Sequence, residues 1–161
     1  MKWYETQIIG VIVGGVITML ANWLLKWNES RIEKRNLKAG AKAEVLVFSK
    51  FIESGIPKIQ KLKEEFEATG KIPKLKMTGH FDFIFIDSNM SKIGILDKEF
   101  MKKIIELRGL KEAYTAGSEI LSDTITLYNK GSIDPSTIKL LFTASENSMK
   151  RMKILSDEIT T

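Results

Sequence analysis

Four basic side chains, Arg31, Arg35, Lys38 and Lys42, recur at steps of four, three and four. On a helix that spacing holds them to one face. The chemistry open to such a face is anion binding. Beside an anionic headgroup layer each residue gains about 1 kcal/mol, fading beyond a Debye length. If copies assembled, the same residues would close into a basic ring able to receive a small anionic ligand such as a nucleotide second messenger. The plainer alternative is that they set only topology and solubility. Lys102, Lys103, Lys150, Arg151 and Lys153 are further basic candidates, read as solvating the exterior of a helical bundle.

Catalytic groups are sparse. The chain has no cysteine, which excludes thiolate zinc sites, cysteine nucleophiles and disulfide scaffolds. His80 is the lone histidine, so histidine metal sites and Ser-His pairs have no second member to draw on. Asp82 and Asp87 are five residues apart and miss a common helical face, so no paired acid and base is suggested. Glu64, Glu65 and Glu67 alternate with lysines as a solvated face does. No glycine loop followed by Lys-Ser or Lys-Thr is present to cradle phosphate. The expectation is a non-enzymatic protein without cofactor or metal. No aromatic-basic platform or recognition motif points to sequence-specific nucleic acid.

These residues must be placed by helices. The chain has 161 residues, 43% of them hydrophobic, and a net charge of +5. That suits one compact domain with an appendage. From Thr6 to Leu25 there is no charged residue, and roughly 20 such residues would let a helix cross about 30 Å of hydrocarbon. Trp3 and Tyr4 before it, and Trp23 and Trp27 at its end, are placed as interfacial aromatics are. Residues 1–27 are therefore expected to be a single transmembrane helix, and residues 28–161 a helical domain. The basic residues that follow would hold that domain on the cytoplasmic side of the inner membrane, with the amino terminus outside and anionic lipids in contact with the basic face. Gly10, Gly14, Thr18 and Asn22 step by four, which lets helix backbones approach and predicts a homo-oligomer, with Thr18 and Asn22 hydrogen-bonding across it.

Beyond Trp27 the pattern stays helical. Ala41, Val45, Phe48, Ile52, Ile59, Leu62 and Phe66 form one stripe. Gly55 and Pro57 interrupt it as a candidate hinge, and Gly70 with Pro73 ends it. Asp97 is an N-cap for a helix that carries Phe100, Ile104, Leu107, Tyr114, Leu121, Ile125 and Tyr128. Asp134-Pro135 opens a last helix carrying Ile138, Leu141, Phe142, Ser145, Met149, Met152, Leu155 and Ile159. The short link between them makes the last two helices antiparallel neighbours. The fold class expected is all-α: the N-terminal helix continues into an antiparallel bundle of three long helices and one short one. The short one falls in His80-Phe81-Asp82-Phe83-Ile84-Phe85-Ile86-Asp87, either plugging the bundle or offering a docking surface to a cytoplasmic partner.

Residues 85–97, Phe-Ile-Asp-Ser-Asn-Met-Ser-Lys-Ile-Gly-Ile-Leu-Asp, followed by a long helix with Tyr114, resemble a corner found in small uncharacterised membrane-anchored helical proteins of prokaryotes and their phages. The resemblance implies an architecture, an anchor followed by a helical region, and no activity. On physical grounds Gly94 would permit a tight turn there, with Ile93 and Leu96 burying it. The function expected is self-association, or docking of a partner by the helical domain. The alternative is a ligand- or partner-gated effector of the phage-defence or exclusion type that perturbs the bilayer.

Overall fold

In the computed structural model the residues described are 3–72 and 81–161, with side chains from residue 13 onward. Five helices follow one another: α1 (Trp3–Thr69), α2 (Ile84–Ser88), α3 (Met90–Ile93), α4 (Lys98–Asn129) and α5 (Pro135–Thr160). No strand occurs among the described residues, in keeping with the all-α expectation. The chain divides into two units, Met1–Lys38 and Ala39–Thr161.

The expected transmembrane span must be corrected. Among the described residues no helix is long and apolar enough to cross a membrane. The charge-free run, residues 6–25, lies wholly within α1. It also carries Gly14, Gly15, Thr18 and Asn22, and Lys26 closes it. The single-pass topology, the outward amino terminus and the inner-membrane placement were all inferred from that span and are withdrawn with it.

The second unit is a bundle of the later part of α1 with α4 and α5. The stripe on α1 supplies Val45, Phe48, Ile52, Ile59 and Phe66, all buried. They meet Ile104, Leu107, Leu121 and Ile125 of α4, and Ile138, Phe142, Met149 and Met152 of α5, in one hydrophobic core. Removing a side chain of this size from water stabilises the fold by about 1.5–3 kcal/mol. Ion pairs run along the α4–α5 seam, Lys103 with Glu158 at 3.0 Å and Arg151 with Glu106 at 3.1 Å. Residue numbers rise on one helix as they fall on the other, so the two are antiparallel as expected. The same inverse order joins α1 to α5, through Ser49–Asp157 at 3.0 Å and Gln60–Glu146 at 2.9 Å.

Local chemistry accounts for the helix ends. Gly70, at φ +63°, turns the chain out of α1, and the Tyr128 hydroxyl donates to its carbonyl at 2.9 Å. The Asp97 side chain accepts from the Phe100 amide at 2.8 Å and starts α4. Gly131, at φ +77°, ends α4, and the Ser132 amide returns to the Leu127 carbonyl at 3.1 Å. Asp134 accepts from the Ser136 amide at 2.7 Å, and Pro135 opens the first turn of α5.

Three sequence readings come out differently. The single short helix expected between α1 and α4 is two turns of helix, α2 and α3, divided at Asn89. The corner glycine, Gly94, has φ −58°, an ordinary helical value, and an added Cβ there would meet only open space. And α1 runs through Gly55 and Pro57 without a break. Apolar side chains on both sides of Pro57, Ile52 and Ile59, stay in the core, and that packing holds the helix together across the missing amide.

Candidate docking surface

In the first unit residues 13–25 of α1 carry no charge, and large apolar side chains stand around most of the helix. Val13, Val16, Ile17, Met19, Leu20, Trp23, Leu24, Leu25 and Trp27 all stand half or more exposed. The stripe expected to pack continues through Gly14, Thr18 and Asn22, joined by Ala21; Gly10 falls outside the residues whose side chains are described, as do Trp3 and Tyr4. Nothing lies within 4 Å of a Cβ built on Gly14, so its backbone is open to approach. Thr18 donates its hydroxyl proton to the Gly14 carbonyl at 2.8 Å. It therefore gives its hydrogen bond within its own helix, and only its lone pairs remain for a neighbour.

Another face carries a different pattern. Trp23 and Trp27 stack, with ring centroids 6.5 Å apart and planes 13° from parallel. The Arg31 guanidinium lies over the Trp27 ring at 4.7 Å. Nine residues separate Gly14 from Trp23, which turns a helix by about 180°. The small-residue stripe and the aromatic ladder thus lie on opposite sides of α1.

The basic face expected from Arg31, Arg35, Lys38 and Lys42 is not four equivalent charges. Arg31 and Arg35 are exposed, whereas Lys38 is half-buried and engaged. Lys42, in the second unit, donates to the Thr160 carbonyl at 3.2 Å and so caps the carboxyl end of α5. The further basic candidates on α4 and α5 serve the bundle: Lys103 and Arg151 bridge its helices, while Lys150 and Lys153 pair with Glu146 and Asp157 four residues on or back.

The insert turns inward. Phe83 and Ile86 are buried, and Phe81 and Phe83 pack on Phe48, at 5.0 and 4.8 Å between ring centroids. Only Ile84, 74% exposed, stands out. Its carboxylates are structural: Asp82 pairs with Lys111 at 3.4 Å and Asp87 with Arg108 at 2.9 Å, both on α4. Reading the residues alone missed the group that seats this insert. Glu44 of α1 accepts from the backbone amides of Phe85 and Ile86 at 2.8 and 2.9 Å, capping α2 from another helix. Across from it, Gly40 leaves room for the Phe85 ring, which an added Cβ would overlap.

The polar groups inside the bundle are likewise in structural roles. Glu146 accepts from Lys150 at 2.6 Å and from Gln60 at 2.9 Å, and Lys63 stands 3.8 Å away. The Lys150 hydrogen bond foremost, then that of Gln60, holds its carboxyl below the usual range, against the opposing effect of burial. The Tyr114 hydroxyl is pushed up by burial. Ser156 is wholly enclosed, and its hydroxyl has no partner among the described residues, so nothing there activates it as a nucleophile. No group of three or more metal-ligating side chains is found among the described residues. His80 lies outside them. Comparison with protein-family models, with curated proteins and with solved structures finds no match to this chain.

Proposed function

We propose that this chain is a non-enzymatic helical module that associates with copies of itself through residues 13–27 of α1. One observation carries the proposal: nine large apolar side chains of that segment are exposed, on every side but the narrow one. A helix with that much exposed apolar surface is, in its working state, a covered helix. The side formed by Gly14, Thr18, Ala21 and Asn22 is where a second backbone can come closest, because nothing there stands far from the helix axis. Asn22 adds an amide able to donate and accept across such a contact.

The non-enzymatic part rests on how the polar groups are used. The carboxylates of Glu44, Asp82, Asp87 and Glu146 hold helices in place, and the Ser49 hydroxyl beside Asp157 is used to join α1 to α5.

The test is sedimentation of the full chain and of Gly14→Ile over a concentration series. Self-association of the wild type, lost in Gly14→Ile and kept in Val16→Leu on the other side, is the expected result. A wild type that stays monomeric throughout, or a Gly14→Ile protein that assembles equally well, would refute the proposal.

A further inference from the structure

We propose that the Trp23–Trp27–Arg31 ladder binds the phosphate of an anionic phospholipid headgroup. The stacking arranges the chemistry. The Arg31 guanidinium carbon lies 4.7 Å from the Trp27 ring centroid, and a guanidinium that stacks on an indole keeps its N–H edge for a partner in the plane. That edge matches two oxygens of a phosphate in a bidentate contact. Arg31 is exposed, no carboxylate among the described residues is paired with it, and Trp27 stacks on Trp23. The fork is therefore held ready rather than ordered on binding.

What lies along the helix on either side selects lipid over other anions. Toward the amino end the ladder passes into exposed Leu20, Val16 and Val13, with no charge to follow a polyanion backbone. Toward the carboxyl end Arg35 adds a second exposed cation one turn on. Apolar side chains, an indole pair and then arginine reproduce in order the acyl, interfacial and headgroup layers of a lipid surface. A nucleic acid would ask for cations along its whole track. Val13 to Trp23 spans about 15 Å, the depth of one leaflet's hydrocarbon, so the contact needs no crossing of the bilayer. It also goes beyond self-association, since the ladder lies opposite the small-residue side and stays available in an assembled protein.

The experiment is flotation of the full chain with vesicles of phosphatidylcholine alone, and of phosphatidylcholine with phosphatidylglycerol. The wild type partitions to the phosphatidylglycerol vesicles in preference. Arg31→Gln lowers that partition about fivefold, the effect of one cation at an anionic surface. Arg31→Lys, which keeps the charge and loses the fork, falls between, and Trp27→Leu, which keeps apolar area and loses the stack, falls likewise. Equal partition to both vesicles, or an Arg31→Gln protein that binds as the wild type does, overturns the proposal. Arg31→Lys at wild-type level overturns the ladder in favour of plain charge attraction. Displacement of the vesicles by a single-stranded oligonucleotide in an Arg31-dependent way overturns the choice of lipid. Sedimentation of Arg31→Gln without vesicles separates the two proposals, because self-association should persist there. Its thermal unfolding, unchanged from wild type, shows that the second unit is intact.

Discussion

Glu146 is the clearest case of a side chain whose charge the fold uses. It is 8% exposed, and three side chains from two helices converge on it. Its carboxyl is held below the ordinary value of 4.5, first by the Lys150 hydrogen bond. The direction of the pH effect follows from that lowering. Stability from this group is fully present above its unfolded value and is lost as pH falls through the lower folded one. Asp157, lowered chiefly by Lys153 and also by Ser49, adds to the same acid-side loss. Urea unfolding across the acid range should therefore show stability falling below about pH 4.5. Glu146→Gln should flatten that fall while lowering stability at neutral pH. Profiles that run parallel for the two proteins would exclude Glu146 as a contributor. None of this was legible in the residues, because Gln60 and Glu146 are 86 positions apart and Glu44 is 41 from Phe85. Only a folded chain brings such groups together.

Among the elements, α2 is too short to be stable alone and takes its position from what surrounds it. The Glu44 carboxylate caps it, the Asp87–Arg108 pair ties it to α4, and the Phe85 ring fills the space over Gly40. Gly40→Ala would drive a methyl group into that ring and should cost about 1–3 kcal/mol, as overpacking does. In a Phe85→Ala background the same change should cost little, and a double-mutant cycle by chemical denaturation reads the difference. Equal costs in the two backgrounds would mean that Gly40 is not where the insert is seated. The ends of α4 and α5 were readable beforehand because Asp97, Gly131, Asp134 and Pro135 act on residues two to four positions away. At Gly55 and Pro57, named as a candidate hinge, the helix assignment continues, and buried side chains on either side of the proline offset one lost hydrogen bond.

At the scale of the molecule, the periodic apolar stripes carried most of the fold. An alternation of three and four residues in the sequence marks the buried faces of α1, α4 and α5. The reading failed where a charge-free run was taken for a membrane crossing, since among the described residues no helix is long and apolar enough for one. What remains is a segment whose apolar side chains face outward and whose narrow side is open. Because the chain has no cysteine, single thiols can report what meets that side. Thr18→Cys lies on the Gly14 side and Leu20→Cys faces the other way, two residues being about 200° around the helix. A disulfide forms only where Cα atoms come within about 7 Å. Mild oxidation of the two proteins should link Thr18→Cys chains into covalent dimers and leave Leu20→Cys chains single. Equal linking at both positions, or none at either, would contradict assembly through the Gly14–Asn22 side of α1.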